Sequence, residues 1–97
     1  MAQRVIRVFP DWGRAWPLWE DEGPVYTVTP QDLRLSASTT RGLAAWMQLW
    51  TRSFSPEDGW RTAESRERWH RMGSELDAVL RAELEPGTRV VNEWMDE

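Results

Sequence analysis

The sequence predicts an α+β fold in which an antiparallel pair of helices packs on a sheet of two or three strands. Apolar residues recur at helical spacing in two long segments that a turn of about seven residues joins. Runs of β-branched residues near both ends of the chain are typical of short strands. Two such helical stripes can be buried only against each other and against a small sheet, which predicts a two-layer sandwich in the order β-β-α-α-β. At 97 residues the chain is expected to form a single domain, residues 1–97.

The first third of the chain is predicted to hold two strands and a long loop. The first strand is predicted at Arg4–Phe9, which is rich in β-branched residues and is followed by a proline. Residues 10–24 are predicted to form a Trp-rich loop, because two Gly and three Pro exclude a regular helix. A short second strand is predicted at Val25–Val28. Thr29–Asp32 combines a hydroxyl cap, a proline and an acid, a pattern typical of the start of a helical turn.

The two helices are predicted at about residues 36–54 and 62–84, and a last strand at about 88–94. Gly73 lies inside the apolar stripe of the second helix, where a missing side chain allows a helix or a Trp ring to approach closely. The first and last strands are expected to be parallel neighbours, with the helix pair as the crossover. The apolar stripe of the first helix spans about 100° and consists of Leu43, Trp46, Met47, Trp50 and Phe54.

Composition and charge exclude several classes of function. The net charge of −4 argues against nucleic-acid binding, for which basic stripes are expected. No window approaches the 18 apolar residues that indicate a membrane-spanning helix. The chain has no Cys, which excludes disulfides and thiolate chemistry and favours the cytoplasm. All twelve basic residues are Arg, which a GC-rich coding bias in a bacterium explains.

The sequence contains no recognisable catalytic or metal-binding constellation. His70 is the only histidine, and with no Cys it leaves too few ligands for a tight zinc site. Consecutive acids such as Glu57-Asp58 in a loop are usually solvated. No serine has the sequence context of a nucleophile elbow, and no glycine-rich loop suits a phosphate. The protein is therefore predicted not to be an enzyme and to bind no metal or cofactor.

The Trp-rich loop is the predicted partner-binding segment. Its three tryptophans represent roughly 450–750 Å² of aromatic surface, more than a monomer normally exposes in one patch. Either the segment folds back over the outer face of the sheet near Val5 and Phe9, or some of its tryptophans anchor a partner, a role in which Trp and Arg are favoured. The residues predicted to contact a partner are Trp12, Arg14, Trp16, Trp19, Glu20, Asp21 and Glu22.

A set of core and turn residues carries a resemblance to known proteins. These residues are Pro17-Leu18-Trp19, Leu43, Trp46, Trp50, Phe54, Pro56, Gly59-Trp60, Trp69, Gly73, Leu76 and Leu80. On them, the chain from Pro17 to Leu84 resembles short uncharacterised Trp-rich proteins of high-GC Gram-positive bacteria. The resemblance implies a shared fold and a bacterial origin, and it carries across no activity and no site residue.

The leading functional hypothesis is a small soluble protein-interaction module, of an immunity, adaptor or regulatory type, that acts by binding another protein. The first alternative is a homo-oligomeric structural subunit whose Trp segment or sheet face is covered by its own copy. The second is a small ligand-binding protein or enzyme that uses His70 or loop carboxylates. Neither a nucleic acid nor a membrane is expected as a partner.

Overall fold

The computed structural model describes residues 4–20 and 28–94, and it confirms the predicted α+β architecture. Two long helices pack on one face of a small mixed sheet, and a short hairpin joins the helices. No helix within these two ranges is long and apolar enough to cross a membrane. In chain order the elements are β1 (Val5–Val8), β2 (Leu18–Glu20), α1 (Ala37–Ser53), β3 (Phe54–Ser55), β4 (Gly59–Trp60), α2 (Ala63–Glu83) and β5 (Arg89–Asn92).

The first and last strands lie side by side and run parallel, as predicted. β1 is the central strand of the order β2-β1-β5, and Ile6 is opposite Val90 in the parallel pair. Alternate side chains of a strand point to opposite faces, so Ile6, Val8 and Val90 enter the core together, and all three are buried. The helix pair is therefore the crossover between two neighbouring parallel strands.

The second strand corrects the prediction. β2 pairs antiparallel with β1, placing Leu18 opposite Val8, and it lies inside residues 10–24, which were wrongly predicted to be irregular throughout. Three residues are too few to show a strand's alternation, although Leu18 is fully buried and Trp19 lies on the other face. Of the strand predicted at Val25–Val28, residues 25–27 lie outside the described residues. Val28 itself is not in a strand, although its N–H donates to the carbonyl of Leu18 at 3.2 Å.

Both long helices begin at a hydroxyl cap and differ from their predicted bounds by one residue at each end. The Ser36 hydroxyl accepts a hydrogen bond from the Thr39 N–H at 3.1 Å at the start of α1. The Thr62 hydroxyl accepts one from the Ser65 N–H at 3.0 Å at the start of α2. Each cap satisfies one of the N–H groups that lack a partner in the first turn of a helix.

The connection between the helices contains a hairpin that the sequence analysis missed. β3 and β4 pair antiparallel, with Phe54 opposite Trp60, and Gly59 turns the chain with φ +76°. Strands of two residues carry no periodic signal. The hairpin places the Trp60 ring 5.3 Å from the Trp69 ring and so extends the core beyond the ends of the helices.

The core is built around Trp46 of α1 and Trp69 of α2. Their rings stack with centroids 4.4 Å apart, and both side chains are fully buried. Trp94 meets the Trp46 ring edge-on at 5.6 Å. A Cβ on Gly73 would lie 2.8 Å from atoms of the Trp94 ring, closer than real Cβ contacts allow. This confirms the prediction that Gly73 permits the close approach of a Trp ring.

Candidate partner-binding site

The structure divides the predicted partner-binding segment into two parts with different surroundings. Trp19 and Glu20 belong to β2 and are held by strand pairing. Trp12, Arg14 and Trp16 precede the strand and lie towards α1. Gly13 lies between them in the left-handed region with φ +77°, where a residue with a side chain would be strained.

Trp19 covers the outer face of the sheet. Its ring stacks on Phe9 with centroids 4.7 Å apart and planes 2° from parallel. Its indole N–H donates to the carbonyl of Phe9 at 2.9 Å, so the polar atom of this half-buried side chain is satisfied. For Trp19 the interpretation that the segment folds back near Phe9 is therefore confirmed.

Glu20 lies at the end of β2 and is engaged by Arg4. The carboxylate accepts hydrogen bonds from Nε and Nη2 of Arg4, the latter at 3.2 Å. This contact raises the pKa of the Arg4 guanidinium above its ordinary value. The pair fastens the segment before β1 to the end of β2. The other two predicted acids, Asp21 and Glu22, lie outside the described residues.

Trp12 is the most exposed tryptophan of the described residues. Its side chain is 43% exposed, and its ring lies on that of Trp50 with centroids 4.3 Å apart and planes tilted by 37°. The indole N–H of Trp50 is buried and has no hydrogen-bond partner among the described residues. An exposed aromatic ring over a buried, unsatisfied donor distinguishes this place from the rest of the core.

Arg14 and Trp16 form one wall of a groove against the side of α1. Trp16 is half-buried and packs on the core, while the Arg14 guanidinium carbon lies 5.7 Å from the centre of the Trp19 ring. The groove is open to solvent and has a volume of about 350 Å³. We call it the α1 groove; it is lined by Arg14, Ala15, Trp16, Ala44, Met47, Gln48, Thr51 and Arg52.

The helical wall of the α1 groove was not predicted. Ala44, Gln48, Thr51 and Arg52 recur at helical spacing beside the buried stripe of α1. This spacing, on a helix whose sequence contains no Asp or Glu, could have indicated a second face of α1 available for binding. The opposite wall comes from a segment about thirty residues earlier in the chain, and only the tertiary fold brings the two together.

The charge of the described residues differs from that of the whole chain. They contain all twelve Arg and twelve of the sixteen acids, so they are formally neutral; the remaining acids are Asp21, Glu22, Asp96 and Glu97. Among the described residues, the lining of the α1 groove contains two Arg and no acid, so this lining is positively charged.

His70 is packed among aromatic rings. Its ring lies 5.4 Å from those of Trp69 and Trp94, in edge-on arrangements. Within residues 4–20 and 28–94, no group of three His, Cys, Asp or Glu side chains is placed to hold a metal ion. A role for His70 in ligand binding stays a prediction.

Comparison with known protein families places the chain. No curated protein matches the chain. The model of a family described as Serratia CdiI immunity protein-like matches residues 4–93, which include both helices, all five strands, the Trp segment and the α1 groove. This relationship supports an immunity-type, protein-binding module, while the predicted origin in high-GC Gram-positive bacteria stays a prediction. The chain belongs to the Serratia CdiI immunity protein-like family.

Proposed function

We propose that this protein is an immunity protein that binds a protein toxin and blocks the action of that toxin. The family match over residues 4–93 carries the proposal, because it covers the whole fold and not an isolated motif. Such a function needs a binding surface and no chemistry from this chain. The exposed aromatic and Arg side chains before β2 offer a surface of that kind.

Within this proposal, Trp12, Arg14 and Trp16 contact the toxin. Trp and Arg are the residue types most enriched among the side chains that dominate interface energies. Trp12 already exposes 43% of its side chain, and covering it would remove apolar surface from water. Trp19 and Glu20 serve instead to hold the segment in place, through Phe9 and Arg4. Contacts of Asp21 and Glu22 with the toxin stay predictions from the sequence.

The proposal is tested by co-expression with the product of any toxin gene that adjoins the gene for this protein in its genome. The wild-type protein is expected to restore growth of the host and to co-purify with the toxin. Trp12→Ala is expected to weaken binding about tenfold or more, a typical effect for a central interface tryptophan. The stability of the free protein should fall by only about 1 kcal/mol, the order of one aromatic pair contact.

Val79→Ala is the matched control for Trp12→Ala. Val79 is the other large hydrophobic side chain exposed in the described residues, at 40%, and it lies on α2 away from the Trp segment. Its replacement should leave protection intact. A wild-type protein that neither binds nor neutralises the toxin domain would refute the proposed function.

A further inference from the structure

We propose that the α1 groove binds a segment of the partner in which an apolar side chain stands beside one or more carboxylates. The inference rests on the proposed function, since the partner is then the toxin, and it adds the chemistry of the segment that is recognised. It concerns the eight described residues that line the groove, five of which belong to α1.

The inner surface of the α1 groove is apolar. Met47 and Trp16 are buried and half-buried respectively, and Ala44 leaves space between them because its side chain is a single methyl. The volume of about 350 Å³ is near the lower end of the range of roughly 300–1,000 Å³ for small-molecule sites. An open groove of this size suits one or two side chains of a protein segment laid across it.

The two Arg side chains at the rim of the α1 groove have N–H donors that can bind an anion. Nε of Arg52 donates to the carbonyl of Gln48 at 3.4 Å. The two terminal nitrogens of the Arg52 guanidinium bond to no described residue. Arg14 forms no ion pair within the described residues and lies against the Trp19 ring. A guanidinium recognises a carboxylate through two parallel hydrogen bonds, so these Arg favour Asp or Glu on the incoming segment. No described residue that lines the groove is an acid, so such a segment meets no repulsion from this lining.

The exposed Trp12 extends the same surface. It precedes Arg14 by two residues, and its ring lies on Trp50, the chain neighbour of the groove residue Thr51. A partner segment that continues from the groove towards Trp50 would also cover the exposed Trp12 ring. An apolar side chain that excludes water strengthens the neighbouring hydrogen bonds between Arg and carboxylate, because these bonds are stronger away from water.

The chemistry is tested first without the toxin, using a phage-displayed library of random dodecapeptides on the full-length protein. The selected peptides are expected to carry Asp or Glu next to a large apolar residue. Their synthetic versions should bind the Arg52→Glu and Ala44→Glu variants roughly tenfold or more weakly, and should weaken as salt is raised. Arg71→Glu and Ala78→Glu, exposed positions on α2, are the matched controls and should bind as the wild type does.

Three results of this selection would overturn the inference. The first is enrichment of basic peptides, or of peptides without acids. The second is a failure to enrich any peptide over the Ala44→Glu variant, provided that circular dichroism shows both proteins to be folded. The third is a dimer in sedimentation that Ala44→Glu converts to a monomer, because the occupant would then be a second copy of the chain.

The toxin assay separates this inference from the proposed function. If the wild type protects the host and Arg52→Glu and Ala44→Glu protect equally well, the groove inference is wrong and the immunity function stands. If the wild type does not protect, the proposed function is wrong, and the peptide selection still decides what the groove binds. Loss of protection in the two groove variants, with protection kept in Arg71→Glu and Ala78→Glu, supports both.

Discussion

Two pairs of tryptophans in ring contact connect parts of this protein, and they differ in how completely their indole N–H groups are satisfied. In the core pair, Trp46 and Trp69 are both fully buried, and their planes are 5° apart. Each indole N–H donates to the backbone carbonyl of the other residue, at 2.8 and 3.1 Å. In the surface pair, Trp12 is 43% exposed and the buried N–H of Trp50 has no partner among the described residues.

The difference indicates that similar residues have separate roles in the two places. The core pair joins α1 to α2 by stacking and by two hydrogen bonds between the helices, so a change there should disturb the whole fold. The surface pair fixes a loop to α1 and keeps aromatic area available to solvent. Stability is therefore expected to depend on the first pair and partner binding on the second.

The largest effect is expected from Trp69→Ala. Truncating a buried aromatic removes its transfer free energy and leaves a cavity, which together cost about 3–5 kcal/mol. The change also removes the hydrogen bond that the Trp69 indole donates to the Trp46 carbonyl of the other helix. Urea unfolding followed by tryptophan fluorescence measures the loss. A decrease below about 1 kcal/mol would mean that the core pair is not the main connection between the helices.

The next effect is expected from Gly73→Ala, which tests the packing around the core pair. A Cβ at this position would lie 2.8 Å from two atoms of the Trp94 ring and 3.1 Å from the Trp46 ring. Overpacking of this kind costs about 1–3 kcal/mol, even though Ala is the better helix former. The melting temperature should fall.

Gly42→Ala is the control for that prediction. Its Cβ would meet a single atom, the flexible end of Leu76, at 3.1 Å. The substitution should therefore be close to neutral, because the helix propensity gained offsets the small adjustment of Leu76. Equal melting temperatures for the two variants would show that the Trp94 ring moves aside at little cost.

The sequence predicted the core pair far better than the surface pair, and the reason is local. Trp46 and Trp69 lie on long periodic helices, where the spacing alone identifies the buried face. Trp12 and Trp19 lie in a segment rich in Pro and Gly, where no period distinguishes a ring that stacks on Phe9 from one that stays exposed. β2 was not predicted because its three residues are too few to show the alternation of a strand.

The α1 groove shows the same limit at the level of the site. Arg14 and Trp16 were predicted as contact residues because a Trp segment with an Arg is unusual. Arg52 was not predicted as a contact residue, because a charged residue beside the apolar stripe of a helix is usually just exposed to solvent. Only the packing of the loop on α1 brings Arg14 and Arg52 to one groove. The residues predicted a protein-binding module of an immunity, adaptor or regulatory type, and the family relationship supports the immunity type among these.

A matched pair of substitutions tests the polar difference between the two tryptophan pairs. Trp46→Phe removes the hydrogen bond that the indole donates to the Trp69 carbonyl, so it should cost about 0.5–1.5 kcal/mol beyond the loss of ring size. Trp50→Phe removes a buried N–H that has no described partner, so the gain from removing it should offset much of the loss of ring area. Denaturant unfolding of both variants measures the gap. Equal losses would mean that the Trp50 N–H is satisfied in solution.

The smallest effect is expected at the N-terminal end of α1. There a carboxylate of α2, and not an aromatic ring, joins the two helices. Glu83 of α2 accepts hydrogen bonds from the hydroxyl of Thr39 and from the N–H of Ser36, the latter at 2.7 Å. The Thr39 hydroxyl and, with it, Ser36 lower the pKa of Glu83 below its ordinary value of 4.5. A carboxyl group with a lowered folded-state pKa stabilises the fold above its unfolded-state pKa. That stabilisation is lost as the pH falls through the folded-state pKa.

Glu83→Gln should therefore lower the free energy of unfolding at pH 7 by about 0.3–1 kcal/mol, the range for an exposed negative charge at a helix N-terminus. The gap between wild type and variant should close as the pH falls below 4.5, because the wild-type carboxyl is then neutral as well. Glu75→Gln, at an exposed position of the same helix, is the control and should show no such closing. Thermal unfolding across the acid range measures both. If the gap for Glu83→Gln stays constant with pH, the charge of Glu83 does not contribute to stability, and the contact acts through neutral hydrogen bonds and packing.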